Sequence, residues 1–380
     1  MKKSFPKLSL FSILMLGCGL AFTQVHYREI PMDALPGWNQ DHQSQAITAM
    51  QTSCQTNIKR RALFSRFDAR ASNAWQQACQ ALLRLPPHSS DVYVRQVLEH
   101  YFNAYEIETD PHQTGLFTGY YEPTLQGSLI PTDYYNVPIY GLPRGYGKRV
   151  IDGRWQQVFD DQGVMRPIPS RAIISDGPAL PDTPVLAWVH SKIERFFLDI
   201  QGSGEVDLSN GNRMLVGYAG QNGQPYYPIG RYLVQIGALT PHNISLQTIQ
   251  EWLQSNPDQA DRVMNLNPAF VFFRVLQEQN PIGAEGVPLS PSRSIAIDPD
   301  YYRYSTLFWI STSWPDVHDG EITPGKPLNR LMVAQDTGGA IEGPIRADIF
   351  WGSGERAKWL AGHMQFPGQM WILWPKGIWP

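Results

Sequence analysis

The chain has 380 residues, which at roughly 150 residues per domain suggests two or three domains. Hydrophobic residues make up 42% and charged residues 17%, so the chain has enough apolar material for sizeable cores and is not a disordered protein. The formal net charge is -3, with no basic run after the first residues, which argues against nucleic-acid binding. The 32 glycines and 31 prolines favour many short strands and turns over long helices.

The N-terminus, residues 1–22, has the pattern of a targeting segment. Three lysines precede an apolar run over residues 8–22: Lys2, Lys3 and Lys7. The run is shorter than the roughly 20 residues that span a bilayer, and it fits a secretory signal. We therefore expect an exported protein.

Cys18 follows Gly17 in an imperfect lipoprotein box. Acylation of Cys18 would anchor the protein to a membrane by lipid alone, and we expect it on the periplasmic face of the outer membrane. Cleavage after Ala21 is the alternative and would give a soluble periplasmic protein. With Cys18 lipidated or removed, Cys54 and Cys79 remain. An even pair in an oxidising compartment predicts a disulfide, and two buried free thiols are the alternative.

The N-terminal third is predicted to be helical after a linker over residues 25–40. The helices are expected at residues 41–63, 72–85 and 91–105. The third has apolar residues at close to helical spacing, so one of its faces is expected to be buried. The aromatic side chains near its end, Tyr101, Phe102 and Tyr105, are interpreted as core.

The hydrophobic period changes to that of strands from residue 115 onward. Short runs separated by Gly and Pro predict strands, and their length and frequency suggest a barrel. We expect these strands at residues 116–121, 137–140, 185–190, 196–201, 205–208, 213–218 and 270–274. Helices are expected at residues 245–254, 257–266 and 355–364, and the region from 294 to 375 is otherwise rich in strands.

Two aspartates stand on either side of a glycine-rich turn near the C-terminus. Asp336 precedes Gly338-Gly339, which admits backbone angles closed to other residues, and Asp348 lies in an apolar run that ends at Trp351. Desolvation there would raise the carboxyl pKa, and a carboxyl that stays protonated near neutral pH suits a general acid. The alternative is a turn Asp at 336 and an ion-paired Asp at 348.

Other catalytic chemistries find no support in the sequence. The nine histidines are scattered, no Cys-x-x-Cys occurs, and we predict no metal. Ser203 lies in Gly202-Ser203-Gly204, which lacks the full nucleophile elbow. No phosphate loop is present, and we expect no cofactor.

The chain resembles the membrane-bound lytic murein transglycosylase A family, with its C-terminal three-aspartate (3D) domain. The resemblance covers roughly residues 90 to 375 and rests on motifs in family order. They are Thr118-Gly119-Tyr120-Tyr121-Glu122-Pro123, Gln201-Gly202-Ser203-Gly204, Asn222-Gly223 with Tyr226-Tyr227-Pro228-Ile229-Gly230, Asn267-Pro268 with Phe270-Val271-Phe272-Phe273, Arg293 to Pro299, and Gln335 to Gly352.

The resemblance implies a mainly β fold with N-terminal helices. A double-psi β-barrel domain would be formed by residues 23–121 together with 277–380. A second β-barrel domain would be inserted at residues 122–276, with the substrate groove between the two. The double-psi topology comes from the resemblance alone.

The resemblance also implies a lytic transglycosylase acting on the glycan strands of peptidoglycan. Such an enzyme cleaves the β-1,4 bond between N-acetylmuramic acid and N-acetylglucosamine without water and leaves 1,6-anhydro ends. One carboxyl acts first as acid and then as base, and Asp348 matches that position. A wall-remodelling protein complex is a further expected partner.

The remaining site residues have weaker support. Asp336 is expected to orient the site and is the alternative catalytic residue, while Asp298, the third aspartate, is expected to be structural or to contact glycan. Glu122 either contacts sugar or is a strand-end residue. Most C-terminal tryptophans are interpreted as core, with Trp351 as the exception that stacks on sugar. The polar candidates for glycan contacts are Tyr120, Gln201 and Ser203.

Two other functions stay open at this point. One is a non-catalytic, expansin-like polysaccharide-binding protein, since fold does not imply function. The other is a two-carboxylate glycoside hydrolase with Asp336 as the partner of Asp348, which would release reducing sugars.

Overall fold

A computed structural model describes residues 24–60, 69–175, 177, 180–277 and 280–380, so Cys18 lies outside the described residues. From residue 24, the described part contains a strand and three α-helices, followed by two strands. These elements are β1 (Gln24–Ile30), α1 (Ile47–Arg60), α2 (Ala69–Leu83), α3 (Asp91–Tyr101), β2 (Phe102–Asp110) and β3 (Gly115–Glu122). Cys54 of α1 and Cys79 of α2 form a disulfide with their Cα atoms 5.3 Å apart.

Two predictions for this part are wrong. The expected linker at 25–40 contains β1, which pairs antiparallel with β2 along its whole length. The third helix was expected to reach residue 105 but ends at Tyr101, because the next residues form β2. This strand lies between β1 and the last strand of the chain, so its backbone N–H and C=O groups find partners on both sides. Phe102 and Tyr105 are nevertheless buried in the core, as expected.

The middle of the chain forms a six-stranded sheet, a three-stranded sheet and five helices. The elements are β4 (Thr124–Ser128), β5 (Val137–Tyr140), β6 (Gly147–Ile151), β7 (Arg154–Asp161), β8 (Val164–Pro167), α4 (Arg171–Ser175), β9 (Val185–Val189), α5 (Lys192–Gln201), β10 (Ser203–Leu208), β11 (Arg213–Gln221), α6 (Ile229–Gln235), α7 (Leu246–Ser255), α8 (Pro257–Met264) and β12 (Val271–Leu276). The larger sheet has the order β12-β11-β10-β4-β9-β5, and all six of its strands contribute to one apolar cluster.

The predicted strand at 196–201 is wrong, because these residues belong to α5. Ser191 caps the helix by accepting a hydrogen bond from the backbone N–H of Glu194, and Gly202 ends it with φ 77°. Asp199 of this helix is buried between two arginines. It forms ion pairs with Arg171 of α4, at 2.8 Å, and with Arg195 of α5. These three side chains tie two helices together inside the middle unit.

The C-terminal part supplies five strands and one helix. They are β13 (Ser294–Ala296), β14 (Leu307–His318), β15 (Glu321–Asp336), β16 (Arg346–Ser353), α9 (Glu355–His363) and β17 (Gln365–Pro375). The pairing order is β3-β17-β14-β15-β13-β16, and β16 pairs with β3 again, so six strands close into a barrel. Two pairs, β13 with β15 and β16 with β3, are parallel. The predicted fold class is confirmed.

The barrel strands and the N-terminal helices share one apolar core, which contains Trp309, Trp371 and Trp374. This bears out their interpretation as core. In the turn between β15 and β16, the glycine with a left-handed backbone is Gly343, with φ 107°. Gly338-Gly339 could adopt such angles, but neither glycine has a positive φ. Within the described ranges, no helix is long and apolar enough to cross a membrane.

Candidate active site

Strand pairing places the two predicted aspartates in one row across four neighbouring strands. Ala296 of β13 pairs with Asp336 on one side and with Asp348 on the other. Asp348 in turn pairs with Thr118 of β3. Since neighbouring strands lie about 4.8 Å apart, the Cα atoms of the two aspartates are about 10 Å apart.

Strand alternation decides which side chains share the face of Asp348. Ala347 and Ile349 are fully buried in the barrel core, so Asp348 points the other way. Phe350 is on the Asp348 face, where its ring packs 5.2 Å from the ring of Tyr120. The packed rings of Phe350 and Tyr120 exclude water from the face of β16 beside Asp348.

Trp351 lies an odd number of residues after Asp348 and therefore on the opposite face of β16. Its side chain is 6% exposed in the barrel core, with its ring centroid 5.1 Å from that of Trp314. This burial argues against the expectation that Trp351 stacks on a sugar ring, because sequence proximity within a strand does not place two residues on one face.

Asp348 is held by one hydrogen bond. Thr118 Oγ1 donates to Asp348 Oδ1 at 2.7 Å, and Arg346 Nη2 donates to Thr118 Oγ1 at 2.9 Å. Burial raises the pKa of Asp348, while the charge of Arg346 and the hydrogen bond from Thr118 oppose this more weakly. Oδ2 accepts no hydrogen bond from the described part of the chain. The site therefore holds a carboxyl that favours protonation and has one oxygen free.

Asp336 is bound through both oxygens. Its Oδ2 accepts from the hydroxyl of Tyr120 at 2.8 Å, and its Oδ1 accepts from the backbone N–H groups of Ala284 at 2.8 Å and Thr337 at 2.9 Å. Burial raises the pKa of Asp336 to about 6, and these hydrogen bonds oppose the shift. Three hydrogen bonds leave this carboxylate little freedom to meet a substrate.

The middle unit contributes Tyr226 to the surroundings of Asp348. Desolvation raises the pKa of Tyr226 to about 12, and the negative charge of Asp348 is the second cause. The side chain is still 37% exposed. The phenol of Tyr226 is thus close enough to the carboxyl of Asp348 for the charge of one to affect the pKa of the other.

The other predicted glycan contacts are engaged within the protein. Asp298 is 8% exposed and accepts from the backbone N–H groups of Asp300 at 2.9 Å and Gly343 at 2.7 Å, so it holds a turn. Gln201 Oε1 accepts from the backbone N–H of Tyr121 at 2.9 Å and ties α5 to β3. Ser203 is 7% exposed at the start of β10. Burial argues against a direct glycan contact by Ser203 or Asp298.

Glu122 is separate from the row of aspartates. It lies four residues after Thr118 along β3, which is about 13 Å. Burial raises its pKa to about 7, and the nearby charge of Glu205 adds to the effect.

Three residues at the site were not predicted: Thr118, Arg346 and Tyr226. All three lie inside motifs quoted above, and Thr118 is two residues before Tyr120, hence on the same strand face. Across the described residues, no group of three or more His, Cys, Asp or Glu is arranged to bind a metal ion.

Comparison with known proteins gives two family-model matches. Residues 116–274 match the MltA specific insert domain, and residues 293–374 match the 3D domain. Among curated proteins, the chain is 32% identical over 274 residues to membrane-bound lytic murein transglycosylase A of Escherichia coli K12. That match covers 71% of this chain and 69% of the relative.

Two solved structures extend the similarity to the fold. The membrane-bound lytic murein transglycosylase of Agrobacterium tumefaciens superposes with a TM-score of 0.79 at 31% identity, over 92% of this chain and 98% of that one. E. coli MltA with bound chitohexaose gives a TM-score of 0.64 at 27% identity, over 87% and 90% of the two chains.

Proposed function

Because this chain belongs to the membrane-bound lytic murein transglycosylase A family, we propose that it cleaves the glycan strands of peptidoglycan without water. The bond is the β-1,4 link between N-acetylmuramic acid and N-acetylglucosamine, and the product carries a 1,6-anhydro end. The observation that supports this most is Asp348, a carboxyl with a raised pKa and one free oxygen. The bound chitohexaose of the E. coli relative supports a glycan substrate.

Asp348 carries both proton transfers in this proposal. Its protonated Oδ2 gives the proton to the glycosidic oxygen as the C1–O bond breaks and an oxocarbenium-like centre forms. The resulting carboxylate then takes the proton of the C6 hydroxyl of the same sugar, whose oxygen bonds to C1. The tethered hydroxyl acts at high effective concentration, so no water is consumed. The hydrogen bond from Thr118 keeps the carboxyl oriented in both steps.

Asp336 and Tyr120 act as positioning residues. A base that activates water needs a free oxygen near the sugar, and both oxygens of Asp336 already accept hydrogen bonds. Its carboxylate instead fixes the hydroxyl of Tyr120, whose ring supports Phe350 under Asp348. This arrangement favours one acting carboxyl over the pair that a hydrolase uses.

The division into domains and the location of the protein are part of the same proposal. Residues 23–121 with 277–380 form the barrel domain and 122–276 the inserted domain, which is supported by the ends of β3 at Glu122 and β12 at Leu276. The protein is exported and anchored through acylated Cys18 at the periplasmic face of the outer membrane, where it works with other wall-remodelling proteins. The E. coli relative is named as a membrane-bound enzyme, which agrees with an anchor.

Mass spectrometry of muropeptides released from purified peptidoglycan tests the proposal. We expect 1,6-anhydro products from the wild type and from the control Asp300→Asn, an exposed aspartate of the neighbouring turn. Asp348→Asn should release these products about 10²–10⁴-fold more slowly. Reducing-end products would instead indicate a hydrolase, and glycan binding without cleavage by the wild type would indicate a binding protein.

A further inference from the structure

A small cavity lies where the barrel and the inserted unit meet, away from the row of aspartates. Its volume is about 80 Å³. Its wall comes from the end of β3 and from three helices, α5, α7 and α9. The polar groups that line it are Tyr121, Glu122, Glu194, Gln250, Glu355 and Lys358.

Glu122 is the unusual member of this wall. Its side chain is 5% exposed, and its Oε1 has no hydrogen-bond partner among the described residues. A buried polar atom without a partner is costly, and native proteins seldom keep one without a reason. The unused acceptor belongs to a side chain that lines the cavity, so a donor placed there would remove the cost.

The charges around the cavity specify what kind of donor fits. Three carboxyl groups, on Glu122, Glu194 and Glu355, line the cavity together with one ammonium group, on Lys358. Burial raises the pKa of Glu122 and of Glu194, and a cation bound beside them would favour their ionised forms. Lys358 interacts with Glu194. Within the described chain, it forms no ion pair with Glu122. No cationic side chain of the described residues thus pairs with Glu122 in this cavity.

We infer that this cavity binds a primary ammonium group, with Glu122 as its buried acceptor. An ammonium group has three donors and no acceptor, which matches a wall of carboxyl oxygens. A volume of about 80 Å³ is more than that of two water molecules at about 30 Å³ each, which is enough for –CH₂–NH₃⁺. The described residues offer no metal-binding cluster here.

This inference rests on the proposed function and adds a substrate preference to it. Glycan strands of peptidoglycan carry short peptides, and a diamino acid in such a peptide presents a primary amine. Glu122 is on the same face of β3 as Thr118, about 13 Å further along the strand. A strand bound at Asp348 can therefore direct a peptide amine into the cavity. A lysine of a partner protein offers the same chemistry.

The test compares two forms of one substrate: peptide-bearing strands with free amines and the same strands after acetylation of the amines. An ammonium bound by a buried carboxylate is worth about 1.5–3 kcal/mol, so kcat/KM should be roughly tenfold or more higher for the free-amine form. Glu122→Gln should bring this ratio close to one. Glu251→Gln, at an exposed position of α7, should leave it unchanged. If the wild type has the same kcat/KM for free-amine and acetylated strands, the inference is overturned.

Direct binding separates this inference from the proposed function. The probe is Nα-acetyl-lysine amide, titrated into the protein and followed by NMR, with its Nε-acetylated form as control. Binding of the free amine only, lost in Glu122→Gln, supports the cavity even where no 1,6-anhydro product forms. If Glu122→Gln does not fold, Glu194→Gln must weaken binding instead. If Nα-acetyl-lysine amide does not bind, the cavity is not an ammonium site. If it binds but kcat/KM is the same for free-amine and acetylated strands, the cavity does not recognise the peptide of the substrate.

Discussion

Removal of one hydroxyl at Thr118 tests the proposed role of Asp348 without removing the carboxyl. Thr118→Val keeps the shape of the side chain and deletes the donor that lies 2.7 Å from Asp348 Oδ1. That hydrogen bond favours the ionised carboxylate, so its loss must raise the pKa of Asp348 beyond the elevation that burial already causes.

The size of the effect follows from the strength of the bond. A hydrogen bond to a charged group contributes about 1.5–3 kcal/mol, and 1.36 kcal/mol corresponds to one pH unit. Because Asp348 must be protonated to act as the acid, activity falls as pH rises through its pKa. In Thr118→Val the midpoint of this fall should move to higher pH by about one unit or somewhat more.

The assay is the pH dependence of kcat/KM for release of 1,6-anhydro muropeptides, since kcat/KM reports groups of the free enzyme. Thr118→Ser keeps a hydroxyl and should keep the wild-type midpoint. An unchanged midpoint in Thr118→Val would show that the fall of kcat/KM at high pH reports the titration of a group other than Asp348. A shift to lower pH would show that Arg346, freed from Thr118 Oγ1, moves to Asp348 and controls its protonation.

Three further predictions concern activity and stability. Asp348→Asn should lower turnover by about 10²–10⁴-fold, and calorimetry at pH 7.5 should show no loss of thermal stability, since a buried carboxyl with a raised pKa destabilises the fold when ionised. Replacement of Cys54 and Cys79 by Ser opens a loop with a sequence separation of 25 and should cost about 3.5 kcal/mol in urea unfolding. Asp199→Asn leaves the charge of Arg171 buried without its partner and should cost about 3–5 kcal/mol in the same assay, whereas replacement of an exposed Asp should change little.

Sequence reasoning found the two aspartates of the site but not their partners. The apolar run around Asp348 indicates a strand with the carboxyl on the face opposite Ile349, and this much is local. The pairing of Asp348 with Thr118 joins residues 230 apart in the chain, and no local pattern encodes that register. Trp351 illustrates a related error, because its closeness to Asp348 in the sequence does not give the face of β16 on which its side chain lies.

The errors in secondary structure arise where local patterns are ambiguous. The apolar run at 196–201 is short enough to fit a strand or one face of a helix, and the signals that decide it, Ser191 and Gly202, lie outside the run. Residues 24–30 show little apolar patterning because β1 is an edge strand, and it exists through its pairing with β2.

The strand order, more than the presence of two aspartates, favours chemistry by one carboxyl. Carboxylates on directly adjacent strands would stand about 5 Å apart, close to the separation of a nucleophile and an acid in retaining glycosidases. Here β13 intervenes, and Asp336 turns both oxygens to the protein. Asp348 is thus left without a second free carboxylate from this row. A sugar whose own C6 hydroxyl attacks C1 needs no second carboxylate, since the one that gave the proton is in place to take the next.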